Sequence, residues 1–125
     1  MRVDRVRIVN EPQSEQNVLA SINSGELAYG RDLVELSAEL KGLFNRSFCV
    51  LTSNGFASIF LSIKALGLIN DRILVPCVSS CFCIVNAIKA SGNIPVFSDV
   101  CRNSGNIDYE SAVRIYQIEP FKAIV

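Results

Sequence analysis

The sequence predicts an α/β fold, a mostly parallel sheet with helices on both faces. Short apolar runs recur at 47–52, 72–76, 94–98 and 121–125. Between them lie stretches whose apolar residues share one helical face. Helix punctuation falls at the junctions, with Gly25 and Gly92 as stops and Asp108 as a start. Runs that are apolar throughout, alternating with amphipathic helices, are what strands covered on both faces require.

The first ten residues or so read as a charged arm ending at Asn10-Glu11-Pro12. Ser14 is the expected N-cap of a helix through Val18, Leu19 and Ile22, which Gly25 ends. After the loop Glu26-Leu27-Ala28-Tyr29-Gly30, a second helix carries Leu33, Leu36, Leu40, Leu43 and Phe44 along one stripe. Strand 47–52 then leads to helix 55–66, with Ile59, Ile63 and Leu66 on one face. Strand 72–76 leads to a helix near 81–91. Strand 94–98 leads through Asn106-Ile107-Asp108 to a helix near 109–118, capped by Asp108. A last apolar run, Phe121 to Val125, reads as another strand. Crossovers between parallel strands are expected to be right-handed.

Composition narrows the function. The 125 residues suit one domain or part of a larger one, and with half of them hydrophobic there is material for a core. Twelve basic residues balance twelve acidic ones with no run of like charge. A nucleic-acid partner or a membrane surface therefore has no electrostatic support. The longest apolar region, Phe56 to Ile69, is broken by Ser58, Ser62, Lys64 and Gly67, so no membrane span is expected. The charged start has no signal-peptide core, which points to the cytoplasm. Cys49, Cys77, Cys81, Cys83 and Cys101 lie in apolar segments and read as buried reduced thiols. Their spacing matches no zinc pair, so no metal site is expected. The chain has no histidine, which excludes Ser-His-Asp and Cys-His catalysis within it.

One segment points to chemistry. Thr52-Ser53-Asn54-Gly55-Phe56-Ala57-Ser58 joins an apolar run to a helix. A turn of this kind aims backbone N–H groups outward at the positive end of a helix dipole, a ready site for phosphate. No G-x-G-x-x-G or G-x-x-x-x-G-K-[ST] occurs, so the common nucleotide-binding loops are absent.

From Glu11 to Val125 the chain resembles the N-terminal part of the DegT/DnrJ/StrS sugar aminotransferases, pyridoxal-phosphate enzymes of fold type I. The resemblance rests on segments in order: Val18 to Gly25 with Tyr29-Gly30, Leu33 to Phe44, Thr52 to Ser58 continuing into Lys64-Ala65-Leu66-Gly67-Leu68, and Val75-Pro76 with Asn86-Ala87-Ile88. Gly92, Pro95 to Asp99, Asn106-Ile107-Asp108 and Lys122 to Val125 complete it. It implies an arm and helix over 1–25 and an incomplete α/β cofactor domain over 26–125. It implies pyridoxal 5'-phosphate as cofactor, a nucleotide-linked keto-sugar and glutamate as substrates, and a homodimer.

Residue roles follow from the same resemblance. Asn54, Gly55 and Phe56 fall on the phosphate-binding turn, where the family has a Gly-Thr pair. Gly55 lets the backbone approach the phosphate. Phe56 keeps the N–H but lacks the hydroxyl, and its alternative reading is a core aromatic on the helix. Cys81 or Phe82 falls where an aromatic stacks on the pyridine ring, with core packing as the alternative. Tyr29 and Gly30 fall where substrate or partner-subunit contacts begin, with a plain loop glycine as the alternative. The lysine that bonds the cofactor and the aspartate that holds its ring nitrogen fall beyond Val125. Asp99 is not that aspartate, and Lys41, Lys64, Lys89 and Lys122 read as solvated surface residues. No catalytic residue is therefore expected in this chain, and an N-terminal portion inactive by itself is the leading expectation. A non-catalytic α/β module for a phosphate ligand, or a degenerate family member, is one alternative. Part of a pyridoxal-phosphate-dependent sugar dehydratase is another.

Overall fold

The computed structural model describes residues 11–78 and 81–125. The expected N-terminal arm lies outside them. Among the described residues the order is α1 (Pro12–Ser24), α2 (Arg31–Leu43), α3 (Gly55–Ala65), β1 (Arg72–Pro76), α4 (Phe82–Ala90), β2 (Ile94–Ser98), α5 (Tyr109–Ile118) and β3 (Ala123–Ile124). They form two compact units that divide between Leu51 and Thr52.

In the N-terminal unit α1 begins earlier than expected. Its N-cap is Glu11 and Pro12 occupies the first helical position, so Ser14 sits inside the first turn. Proline's fixed φ suits that position and its missing N–H costs nothing there. The Ser14 and Glu15 N–H groups both donate to the Glu11 carbonyl. Gly25 ends the helix at φ 76°, the left-handed conformation that favours glycine. The stripe on α2 forms as expected, yet Leu33, Leu36 and Leu43 remain exposed.

The expected strand at 47–52 does not form: none of these residues belongs to a strand, and Phe48 is 87% exposed. An extended apolar run becomes a strand only when a neighbour supplies N–H and C=O groups along its length. No described residue does so here.

The C-terminal unit is an all-parallel sheet in the order β2-β1-β3. Strand β1 is central, pairing Arg72 to Pro76 with Ile94 to Ser98 on one side and Ile73-Leu74 with Ala123-Ile124 on the other. Ile73, Leu74 and Val75 are fully buried, as an unalternating apolar strand requires. Each such side chain contributes about 1.5–3 kcal/mol of burial. Ile73 and Val75 pack with Ile63 of α3 and Ile88 of α4. Leu74 points to the other face. The chain steps from β1 to β2 in one direction and from β2 to β3 in the other. By the general right-handed rule, two such opposite steps put their helices on opposite faces, and Leu74 is fully buried on the face away from Ile63 and Ile88.

Two connections are held by side chains. Asp108 caps α5, its Oδ1 accepting from the Ser111 N–H at 2.7 Å. At the amino edge of the sheet Asn93, buried, accepts from the Asp71 N–H at 3.0 Å. It also donates to the Leu68 carbonyl at 3.0 Å and to Ser91 Oγ at 3.0 Å. That side chain ties the turn before β1 to the turn before β2 and sets their shared register.

Candidate cofactor-binding site

Helix α3 ends just before β1 begins and packs on α4 and on Ile73 and Val75, so it runs back along β1. Its N-terminus therefore points to the sheet's carboxyl edge. The N-terminus of α4, which follows β1 through a short loop, lies at the same edge. In open α/β sheets ligands bind at that edge, where strand order reverses. The structure thus brings the expected phosphate turn and the expected ring-stacking position to one side of the sheet.

At the start of α3, Asn54 is the N-cap and its Oδ1 accepts from the Ala57 N–H at 2.9 Å. The Ser58 N–H goes to the Asn54 carbonyl. The Gly55 and Phe56 N–H groups have no acceptor among the described residues and face outward. No acidic residue occupies the first turn, and the helix's charged side chain, Lys64, lies at its far end. The positive end of the dipole is left uncompensated. Among the described residues, a Cβ on Gly55 would meet nothing within 4 Å. The fold itself does not demand glycine at this position, and the space in front of it is open.

Phe56 is 37% exposed and stands outside the buried cluster, stacked on Phe60 with ring centroids 6.2 Å apart. The core reading of this residue does not hold. The Thr52 hydroxyl reaches both the Asn54 carbonyl and the Ser58 hydroxyl. Sequence reasoning gave these two hydroxyls no role, although a threonine two residues before an Asn N-cap is a signal for such a brace.

Cys81 is the N-cap residue of α4 and is exposed; Phe82, the first helical residue, is 77% exposed. Neither is core. Hydrogen bonding from the Cys83 backbone, and then from its thiol, holds the Cys81 thiol below the usual thiol range. The same thiol contact pushes Cys83 up. The expectation of buried cysteines fails generally: Cys77 and Cys81 are exposed, while Cys49, Cys83 and Cys101 are half-buried. Cys77 and Cys81 lie in the loop leaving β1, where an apolar sequence meets the sheet's open edge.

Tyr29 and Gly30 belong to the N-terminal unit. Tyr29 is 90% exposed. Gly30 is the N-cap of α2, and a Cβ there would come within 2.6 Å of the Glu26 Cβ. Glu26 folds over the glycine and accepts from the Arg31 N–H at 3.0 Å. Gly30 is therefore needed by the fold, whatever else it does. A cleft of about 550 Å³ in this unit is lined by residues of α1, α2 and the loop between them, among them Glu26, Arg31, Asp32 and Glu39. Lys64, Lys89 and Lys122 are exposed, and Lys41 is half-buried in the last turn of α2. No helix among the described residues is long and apolar enough to cross a membrane.

The described C-terminal unit is an all-parallel α/β sheet with the start of α3 at its carboxyl edge. The chain belongs to the DegT/DnrJ/EryC1/StrS aminotransferase family, whose model matches residues 9–125. It is similar to a 3-oxo-glucose-6-phosphate:glutamate aminotransferase of Bacillus subtilis (strain 168), with 28% identity over 100 residues. That match covers 78% of this chain and 22% of the relative, so the chain spans about a fifth of the curated relative's length.

Proposed function

We propose that this chain carries the N-terminal part of the cofactor domain of a pyridoxal-phosphate-dependent aminotransferase. The complete enzyme moves the amino group of glutamate onto a keto-sugar linked to a nucleotide, and works as a cytoplasmic homodimer. The observation that carries the reading is the uncompensated start of α3, with two free N–H groups and open space at Gly55, in a chain of this family. The relative's name gives an oxo-sugar phosphate acceptor and a glutamate donor, which supports a keto-sugar and glutamate but not the nucleotide.

The residues present fit the phosphate end of the cofactor. Asn54 holds the Ala57 N–H, which leaves the Gly55 and Phe56 N–H groups as the donors. Gly55 leaves room for close approach, and Phe56 gives its N–H without a hydroxyl. Phe82 offers an exposed ring face, or Cys81 a polarisable sulfur, to the pyridine ring. Tyr29 and Gly30 are the proposed substrate contacts. The bound cofactor supplies an electron sink for the carbon that carries the amino group. The lysine that moves the proton, and the aspartate that keeps the ring nitrogen protonated, belong on this reading to sequence following Val125. Residues 1–25 then serve as an arm and helix, and 26–125 as the first part of the cofactor domain.

Two measurements test the proposal. The 125-residue chain is incubated with pyridoxal phosphate and reduced with borohydride, and its lysines are mapped. The expected result is no stoichiometric adduct; one full adduct on a single lysine overturns the division of labour. The protein translated with its downstream reading frame is then assayed for 2-oxoglutarate release from glutamate with a nucleotide-linked keto-sugar. No release sinks the function. Phe56, standing where a hydroxyl is expected, favours a second reading, a non-catalytic phosphate-binding module. That reading predicts phosphate binding by the chain and no release in either form.

A further inference from the structure

The spacing of Cys81 and Cys83 across the start of α4 places two thiols where one can react and the other can close on it. We propose that Cys81 and Cys83 form a peroxide-oxidised dithiol, with Cys81 as the attacking sulfur and Cys83 as the resolving one. The inference concerns the chain without cofactor and does not rest on the proposed function.

Three features carry it. Cys81 is the exposed N-cap of α4, at the positive end of a helix with no acidic residue in its first turn. Such a position favours the thiolate, which is the reactive form. Cys83 lies two residues on and is half-buried, and hydrogen bonding from it favours the Cys81 thiolate. Because the intervening Phe82 is helical, the two Cα atoms are about 5.4 Å apart from helix geometry, inside the span a disulfide bridges. A low-lying, accessible thiol beside a second cysteine is the arrangement redox-sensing thiols require. Cys101 is also held below the usual thiol range, by the Asn103 backbone and the Ser104 side chain. Its contacts bring up no second thiol, so it serves as the internal comparison.

The chemistry balances with hydrogen peroxide as the oxidant. The Cys81 thiolate attacks one peroxide oxygen, the O–O bond breaks, and hydroxide leaves. The sulfur is then a sulfenic acid. The Cys83 sulfur attacks it, the S–S bond forms, the S–O bond breaks, and the oxygen leaves as water. Two thiols and one peroxide become one disulfide and two waters. The ring so closed encloses the backbone of Phe82 and ties down the first turn of α4.

The test treats the full chain with equimolar hydrogen peroxide, alkylates the remaining thiols, and maps the peptides by mass. The expected product is a peptide spanning both cysteines, lighter by two hydrogens and unalkylated at either. In Cys83→Ser, dimedone added with the peroxide labels Cys81. In Cys81→Ser the disulfide is absent and oxidation at this segment slows by about tenfold or more. Circular dichroism of both variants checks the fold. As a control that needs no variant, wild-type chain in urea loses its preference for Cys81. A bridge to Cys77 instead, earlier oxidation of Cys49 or Cys101, an unlabelled Cys81 in Cys83→Ser, or an unchanged preference in urea overturns the proposal.

Discussion

Replacing Asn93 tests whether one buried amide holds the sheet's register. Its side chain makes three hydrogen bonds of 3.0 Å, to the Asp71 N–H, the Leu68 carbonyl and Ser91 Oγ. Ser91 keeps a bond of its own to the Ile88 carbonyl, so it loses least. Asn93→Ala leaves the Asp71 N–H and the Leu68 carbonyl without these partners in a part-buried region. At about 1 kcal/mol per lost bond, the cost is about 3 kcal/mol. Domains of this size hold about 5–15 kcal/mol in all, so the loss is a large fraction. Asn93→Asp keeps the acceptor for Asp71 but loses both donors and buries a charge, and is expected to cost at least as much. Urea unfolding reads the effect as a lower midpoint with an unchanged slope. Asn86→Ala, exposed on α4, is the control and stays within about 0.5 kcal/mol of wild type. A loss below about 1 kcal/mol in Asn93→Ala, or a neutral Asn93→Asp, refutes the register argument.

Four further outcomes follow from the same geometry. Asp108→Ala removes the cap of α5 and lowers stability by about 1 kcal/mol, while Asp108→Asn retains most of it; equal losses in thermal unfolding would show the cap is not formed. Gly30→Ala drives its Cβ into Glu26 and costs about 1–3 kcal/mol by overpacking, read as a loss of stability in urea; no change would mean Glu26 does not fold over the glycine. Phe56→Thr supplies a hydroxyl at the start of α3 and tightens pyridoxal phosphate binding by about tenfold, measured by calorimetry; unchanged affinity removes that turn from the phosphate site. The Cys81 thiol, held low by Cys83, ionises at lower pH than an ordinary thiol, and Cys83, pushed up, at higher pH. Iodoacetamide labelling should therefore rise first at Cys81 as pH increases, and labelling of both sites at the same pH contradicts the assigned contact.

The parts of this fold that were legible in the sequence are those decided by local chemistry. Strands 72–76 and 94–98 form at the expected residues because their apolar runs are bounded by polar turns and pair with each other. Asp108 caps α5 because an Asp before a helical pattern has an N–H within reach three residues on. The errors fall where a distant partner decides. Residues 47–52 have the composition of a buried strand, but composition states that a neighbour is needed without supplying one. Cysteines in apolar segments read as buried, yet Cys77 and Cys81 sit where β1 leaves the sheet and its side chains run out of cover. At Ser14 a favourable cap lost to Pro12, whose ring decides φ before any side-chain bond can form. The site shows the same division. Asn54 and Gly55 stand at the start of α3 as expected because a helix start is a local event. That Cys81 and Phe82 share the sheet edge with them depends on α3 running back along β1, a fact of topology. Gly55 is the sharpest case: with open space at its Cβ and no positive φ, nothing within the described chain requires glycine. The open space is compatible with the phosphate proposed for this turn, and the Phe56→Thr measurement decides whether the turn binds it.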